Sequence, residues 1–242
     1  MLSPKNKLRS LFLSIMNQIT TLSIFKYQSL SSKIWAFGMM QFAHAALKKA
    51  KGCEFYKLLG SGKDNFNPFP DWSVYALLQT WQSEADAQKY ITESKLFKKY
   101  FAHAEQHQIL YLNSIQARGE WSGKNPFVPV DSNYEITGKL AVITRASIKL
   151  SKLRTFWKFV PTSQKPLLKA KGLVYTKGFG EMPFTEMATF SIWNSKEDLH
   201  EFAYRSKEHV EAIKKTRKID WYKEELFSRF EIYKSEGDLL NL

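Results

Sequence analysis

The residues best placed to do chemistry lie on one helical stripe near the C-terminus: Leu199, Phe202, Ser206, His209 and Ile213. Their spacing of 3, 4, 3 and 4 residues puts all five on one face of a helix. That face is expected to look inward, onto a sheet. A histidine among apolar neighbours needs partners for its ring nitrogens. Two readings follow. In one, His209 is a core histidine bonded to a neighbour or to water. In the other, it is the axial ligand of a metal cofactor such as heme, whose flat apolar body suits a pocket of Phe, Leu and Ile, with Phe202, Ser206 and Ile213 around it. Periodicity alone is compatible with both.

Arg145 is the second candidate. It follows Thr144 in a β-rich run, so alternation puts the two on opposite faces of a strand. An inward arginine there could pair with a carboxylate such as a heme propionate or stabilise bound dioxygen, which makes it the candidate catalytic residue. The alternative is an ordinary salt bridge. His103 and His107 are one helical turn apart, but no third metal ligand is evident. Cys53 is the only cysteine, so an internal disulfide is excluded, and a reducing, cytoplasmic setting is the default. It is a weaker candidate for a heme thiolate. Gly60-Ser61-Gly62 and Gly178-Phe179-Gly180 read as strand-end turns rather than phosphate loops.

The elements that must position these residues come from an internal repeat. Lys49-Ala50-Lys51-Gly52 recurs as Lys169-Ala170-Lys171-Gly172, and Leu30-Ser31 recurs as Leu150-Ser151, both at an offset of 120. Trp81, Ser83 and Asp86 match Trp193, Ser195 and Asp198 at an offset of 112. The lost eight residues fall in the Gly/Asn/Pro-rich stretch after Gly60, where a loop absorbs an insertion. Each half reads as a strand (Thr21 to Tyr27; Leu140 to Ile148) and an aromatic-bearing helix (Ser31 to Lys49; Ser151 to Lys169). A glycine stop follows, then two strands (Glu54 to Leu59 and Trp72 to Trp81; Leu173 to Lys177 and Met187 to Trp193). A serine-capped helix and a last strand (Ile109 to Ile115; Leu226 to Tyr233) complete each half.

This order predicts an α+β fold of tandem duplicated ferredoxin-like repeats. Their two antiparallel sheets would pack into a dimeric α/β-barrel-like unit with outer helices. The expected organisation is an N-terminal extension over 1–18, a first, scaffold repeat over 19–118 and a connecting loop over 119–138. A second, cofactor-binding repeat covers 139–236 and a tail 237–242. The divergence between halves is the sharpest signal. The first half offers Ala87, Tyr90, Ser94, Phe97 and Phe101 on the matching stripe, so Phe97 stands where His209 stands.

Composition sets the outer bounds. Of 242 residues, 44% are hydrophobic and 15% aromatic, enough for a sizeable core. The net charge of +13 would attract nucleic acid or an anionic membrane. The lysines are dispersed and no nucleic-acid-binding motif accompanies them, so no nucleic acid is expected. No apolar run approaches the ~20 residues of a membrane span. The segment Leu8 to Ile15 is apolar and follows basic residues. It reads as an extension, with peripheral contact to an inner membrane as the alternative.

Six segments resemble the spheroidene monooxygenase family. They are Lys57-Leu58-Leu59-Gly60-Ser61-Gly62, Arg118-Gly119-Glu120-Trp121-Ser122-Gly123, Thr144-Arg145-Ala146, Gly178-Phe179-Gly180-Glu181-Met182-Pro183, Phe190-Ser191-Ile192-Trp193 and Glu224-Glu225-Leu226-Phe227-Ser228-Arg229-Phe230. They span about Thr20 to Tyr233 in one order. The resemblance implies a heme-dependent enzyme that uses dioxygen to hydroxylate and then ketolate an acyclic carotenoid. Electrons would come from an external donor protein such as reduced ferredoxin. It also implies iron held by a histidine on the last long helix of the C-terminal repeat, the position of His209. Trp157, Phe159, Phe179 and Phe184 are candidates to line a channel for the polyene. The competing classes are a non-catalytic heme-binding protein and a basic, cofactor-free binding module.

Overall fold

The structure is a computed structural model. It describes residues 18–63, 66–205, 219–240 and 242, without the side chains of 161–166, 204 and 205. The strands are β1 (Ile19–Lys26), β2 (Cys53–Gly62), β3 (Pro70–Trp81), β4 (Gln106–Gly119), β5 (Lys139–Ile148), β6 (Leu173–Met182), β7 (Glu186–Trp193) and β8 (Tyr222–Gly237). The helices are α1 (Leu30–Phe42), α2 (His44–Leu47), α3 (Glu84–Glu93), α4 (Lys95–His103), α5 (Leu153–Leu168) and α6 (Lys196–Arg205).

All pairings are antiparallel, and the strands close into one barrel in the order β1-β3-β2-β6-β7-β5-β8-β4. The barrel-like unit expected from the sequence is present, and it closes because the edges of the two sheets join. One seam is long, with β4 paired to β8 from Gln108–Gly237 to Gly119–Leu226. The other is short, with Gly60 opposite Gly180 and Ser61 opposite Phe179. The physical reason is strand length. Both last strands run well beyond their predicted ends, and two long antiparallel edges satisfy each other's backbone groups.

Both halves use the same local devices. Gly52 (φ +78°) and Gly172 (φ +74°) turn the chain into β2 and β6. A Cβ at either would collide with the side chain of Asp86 or Asp198. The Ser83 and Ser195 hydroxyls cap the next helices by accepting from the N–H groups of Asp86 (3.2 Å) and Asp198 (3.1 Å). Two helices are shorter than predicted. The first ends at Phe42, with α2 following Ala43. The one after Ser83 breaks at Ser94, whose extended backbone (ψ 139°) stops α3 while its hydroxyl caps α4.

The lumen is filled by Leu22, Ile24, Leu59, Leu78, Leu110, Ile143, Phe179, Phe190 and Phe230 with their neighbours. The β4–β5 connection brings Trp121 and Phe127, both buried, onto this cluster. The Phe127 ring meets Phe230 edge-on at 4.9 Å. Leu239, Leu240 and Leu242 pack against the same cluster. No helix among the described residues is long and apolar enough to cross a membrane.

Gly52→Ala and Gly172→Ala should each lower stability by about 1–3 kcal/mol, because a Cβ is strained at positive φ and meets the aspartate. Urea unfolding midpoints test this. Unchanged midpoints in both variants would contradict the shared role.

Candidate functional site

The hollow on the outer face of the second half is built from strand alternation. Strand β5 is central, flanked by β7 and β8. Its odd residues Ala141 and Ile143 join the lumen, and Leu140 and Val142 face outward under the helices. The equivalent pairs Ile19–Trp81 and Leu140–Trp193 align the two halves. On that alignment Thr144 answers to Ser23 and Ala146 to Phe25.

In the first half this face is filled. Phe25 stacks on Tyr100 at 4.8 Å and meets Phe97 at 6.1 Å, and all three are buried with Leu77, Tyr75, Trp81 and Ile109 in one cluster. Ser23 is wholly covered. Among the described residues of the second half, which do not include the counterparts of Phe97 and Tyr100, the cover falls in two clusters. One cluster holds Ile148, Phe156, Val160, Met187 and Trp221; the other holds Leu140, Val142, Trp193 and Leu199, with Phe202 and Phe227 against it. Between them Thr144 is exposed, although it sits mid-strand with neighbours on both sides. Thr189, Phe227, Ala146 and the buried Gly178 surround it. A floor of small and hydroxyl-bearing residues between two apolar walls suits a flat apolar body with a polar edge. Arg229 lies two residues from Phe227 on the same face, and its Nε has no partner among the described residues.

The candidate site residues fall in different places. The half-buried Phe202 ring lies 5.2 Å from Trp193 and forms part of one wall. Ser206, His209 and Ile213 lie outside the described residues. Arg145 is buried on the opposite face of β5 from Thr144, so it and Phe202 are not brought together. Phe179 turns into the lumen, not toward the outer hollow, because its register partner Ala188 is lumenal with Arg145. Trp157 and Phe159 pack against the first wall. The Trp157 indole N–H donates to the Phe184 carbonyl at 3.1 Å.

Arg145 anchors a second feature, a polar cleft of about 360 Å³ at one barrel mouth. Its guanidinium ion-pairs with Glu224 and Glu186, with Glu181 at 3.7 Å and the Trp121 ring 5.6 Å away. Glu181 also pairs with Lys57 and accepts from the Trp121 indole N–H at 2.6 Å. Glu224 accepts from the Ser122 (3.1 Å) and Gly123 (2.7 Å) amides. The cluster ties the β4–β5 connection to the barrel. The sequence reading offers a salt bridge for Arg145 but not its partners, because the carboxylates are far apart in the chain. The signal available was the lumenal parity of Arg145 itself.

Burial works to raise the Glu224 carboxyl, but the Gly123 and Ser122 amides and the Arg145 guanidinium outweigh it and hold the group below its ordinary 4.5. The other candidates are engaged elsewhere. His103 stacks on Trp35 at 3.9 Å, His107 lies 4.8 Å from the Phe101 ring, and the His44 ring meets the Tyr56 hydroxyl at 3.0 Å. Burial, the largest effect, pushes the Cys53 thiol up to about 11, so it is a neutral thiol near pH 7. Among the described residues no three His, Cys, Asp or Glu side chains group to hold a metal ion.

Comparison with known proteins bears on what this scaffold serves. No family model matches the sequence. Spheroidene monooxygenase of Rhodobacter capsulatus is 34% identical over 221 residues, covering 90% of this chain and 92% of the relative. That of Cereibacter sphaeroides is 34% identical over 222 residues, covering 91% and 68%. The chain belongs to the spheroidene monooxygenase family. The Rubrivivax gelatinosus member is 32% identical over 86% of this chain and 79% of its own. Among solved structures, an aldoxime dehydratase in complex with butyraldoxime superposes with a TM-score of 0.63 at 9% identity, covering 95% of this chain and 84% of that one. A second aldoxime dehydratase gives 0.60 at 10% identity, covering 90% and 82%. At these identities the structural likeness shows a shared fold.

Glu224 makes the cleft acid-sensitive. Its folded value is depressed, so its stabilisation is present above 4.5, the ordinary value, and is lost as pH falls through the folded value. Urea midpoints from about pH 6 down to about pH 3 should fall in the wild type. Glu224→Gln should start lower at neutral pH and show a shallower decline. An identical pH profile for both would refute this role.

Proposed function

We propose that this protein is a heme-dependent monooxygenase that uses dioxygen to hydroxylate and ketolate an acyclic, spheroidene-like carotenoid near its chain end. The observation that carries the reading is kinship: 34% identity across 91% of the chain to a protein named spheroidene monooxygenase. The surface around Thr144 supports it, because small, hydroxyl-bearing residues between apolar clusters suit a flat apolar body with a polar edge. Its apolar walls can shelter the macrocycle. Arg229, with an Nε on the same face that has no partner among the described residues, is suited to pair with a propionate.

His209 is the residue that would hold the heme iron, with Phe202, Ser206 and Ile213 as the further candidates to contact the group. When bound, the heme iron supplies dioxygen-activating chemistry, with electrons from an external donor protein such as reduced ferredoxin. The chain's own part is to exclude water and orient the polyene. The wall formed by Phe156, Trp157, Phe159 and Met187 offers an apolar surface for the polyene beside the hollow. Arg145 takes a positioning role, tying the β4–β5 connection to the barrel floor beneath the site through Glu224. The matched glycine turns and serine caps support a duplicated origin. The first half then serves as scaffold and the second as the cofactor-binding half.

Expression in cells that accumulate an acyclic carotenoid tests the function. Hydroxylated and then keto products should appear with the wild type and disappear with His209→Ala. Absence of oxygenated product from the wild type, with heme, reductant and oxygen supplied, would overturn the reading. The purified wild type should also show a Soret band that His209→Ala shifts or loses; an unchanged band would remove His209 as ligand.

A further inference from the structure

Several of the exposed large apolar side chains meet one another across separate elements. On α1, Leu30, Ile34 and Phe37 fall on one helical stripe and are 74%, 61% and 55% exposed. Trp35, Ala36, Met39 and Met40 take the other side, against the core. The Phe37 ring meets Trp72 at 4.8 Å. Three residues earlier, Phe69 meets Phe184 at 6.3 Å, and Phe184 meets Trp157 at 6.3 Å. Phe184 is held at φ +69°, a backbone cost a bulky residue rarely bears. Helix α1, the β2–β3 loop and the β6–β7 turn thus build one aromatic ridge from separate parts of the chain.

The ridge is bordered by cations. Lys33 follows the α1 stripe, Lys63 opens the β2–β3 loop, and the exposed Arg154 and Lys158 flank Trp157 on α5. None of the four has a carboxylate partner among the described residues. The nearby described acids are already engaged within the chain: Asp71 with Lys177, and Glu181 and Glu186 with Lys57 and Arg145. Exposed aromatics ringed by unpaired lysine and arginine match the interface of an anionic bilayer, where rings sit at headgroup depth and cations meet phosphates.

We propose that this ridge is a lipid-docking face that seats the protein on an anionic membrane surface. Its inner end is continuous with the wall of the hollow, because Phe66 and Trp157 pack in the same cluster as Phe156, Met187 and Trp221. The docked protein therefore presents an aromatic path from lipid to the hollow. That last step rests on the carotenoid reading; the docking itself does not.

The test is co-sedimentation of the full chain with phosphatidylcholine vesicles, with and without phosphatidylglycerol, at low and high salt. The wild type should bind the anionic vesicles, and salt should weaken that binding. Phe37→Ser/Phe69→Ser and Lys63→Glu/Lys158→Glu should each reduce partitioning about tenfold or more while keeping the wild-type circular dichroism. Val128→Ser, a 59% exposed side chain off the ridge, should bind as the wild type does. His209→Ala should also bind normally, which separates failure of docking from failure of the enzymatic reading. Equal binding to neutral vesicles, or a ridge variant that sediments like the wild type, would overturn the proposal. So would a wild-type dimer that Phe37→Ser/Phe69→Ser turns into a monomer without any vesicle binding, since the face would then belong to a second copy.

Discussion

Closure of the barrel is the constraint on which the rest of the structure depends. Once the β4–β8 and β2–β6 seams join the two sheets, every strand has a lumenal and an outer face. The lumen of this barrel is filled by side chains, one of the two arrangements open to eight strands. Phe179, Phe190 and Phe230 fill it, Trp121 and Phe127 pack onto it from the β4–β5 connection, and the Leu239–Leu242 region adds a further cover. Beyond the polar cleft at the barrel mouth, room for an apolar ligand has to come from an outer face, under helices. The fold offers two such faces, one per half.

What distinguishes the two faces is how each spends its apolar surface. The first half inserts Phe25, Phe97 and Tyr100 into a single core, and each fully buried ring of this kind is worth roughly 1.5–3 kcal/mol. The second half puts Ala146 at the Phe25 position and Thr144 is exposed beside it, while the counterparts of Phe97 and Tyr100 lie outside the described residues. Small and hydroxyl-bearing residues where the other half places a ring are the pattern expected of a functional surface. The Arg145 cluster works on the other side of the same strand. Its ion pairs and the Glu224 bonds to the Ser122 and Gly123 amides fix the mouth, so the floor of the hollow rests on a rigid support.

Much of this was legible in the residues. The strand alternation, the twin glycine turns and the twin serine caps are local, and local periodicity reports them directly. The break at Ser94 was hidden because the apolar stripe continues through it from Tyr90 to Phe97. The seams were hidden because edge pairing depends on strands far apart in sequence. The same holds for the Arg145 cluster, whose members come from β2, β5, β6, β7 and β8. The hollow was half visible. Comparing halves drew attention to His209 against Phe97, yet the companion change of Phe25 to Ala146 becomes meaningful only once strand register aligns the two faces.

The central claim is that the second outer face is hollow so as to hold a planar cofactor. Thr144→Phe puts a ring into that hollow at an exposed position, where a strand accommodates it without backbone strain. Titrating wild type and Thr144→Phe with heme, followed in the Soret region, tests the claim most directly. The account predicts saturable binding to the wild type and affinity weakened at least about tenfold in Thr144→Phe, with thermal stability kept or raised. Equal heme affinity in the two proteins would contradict it.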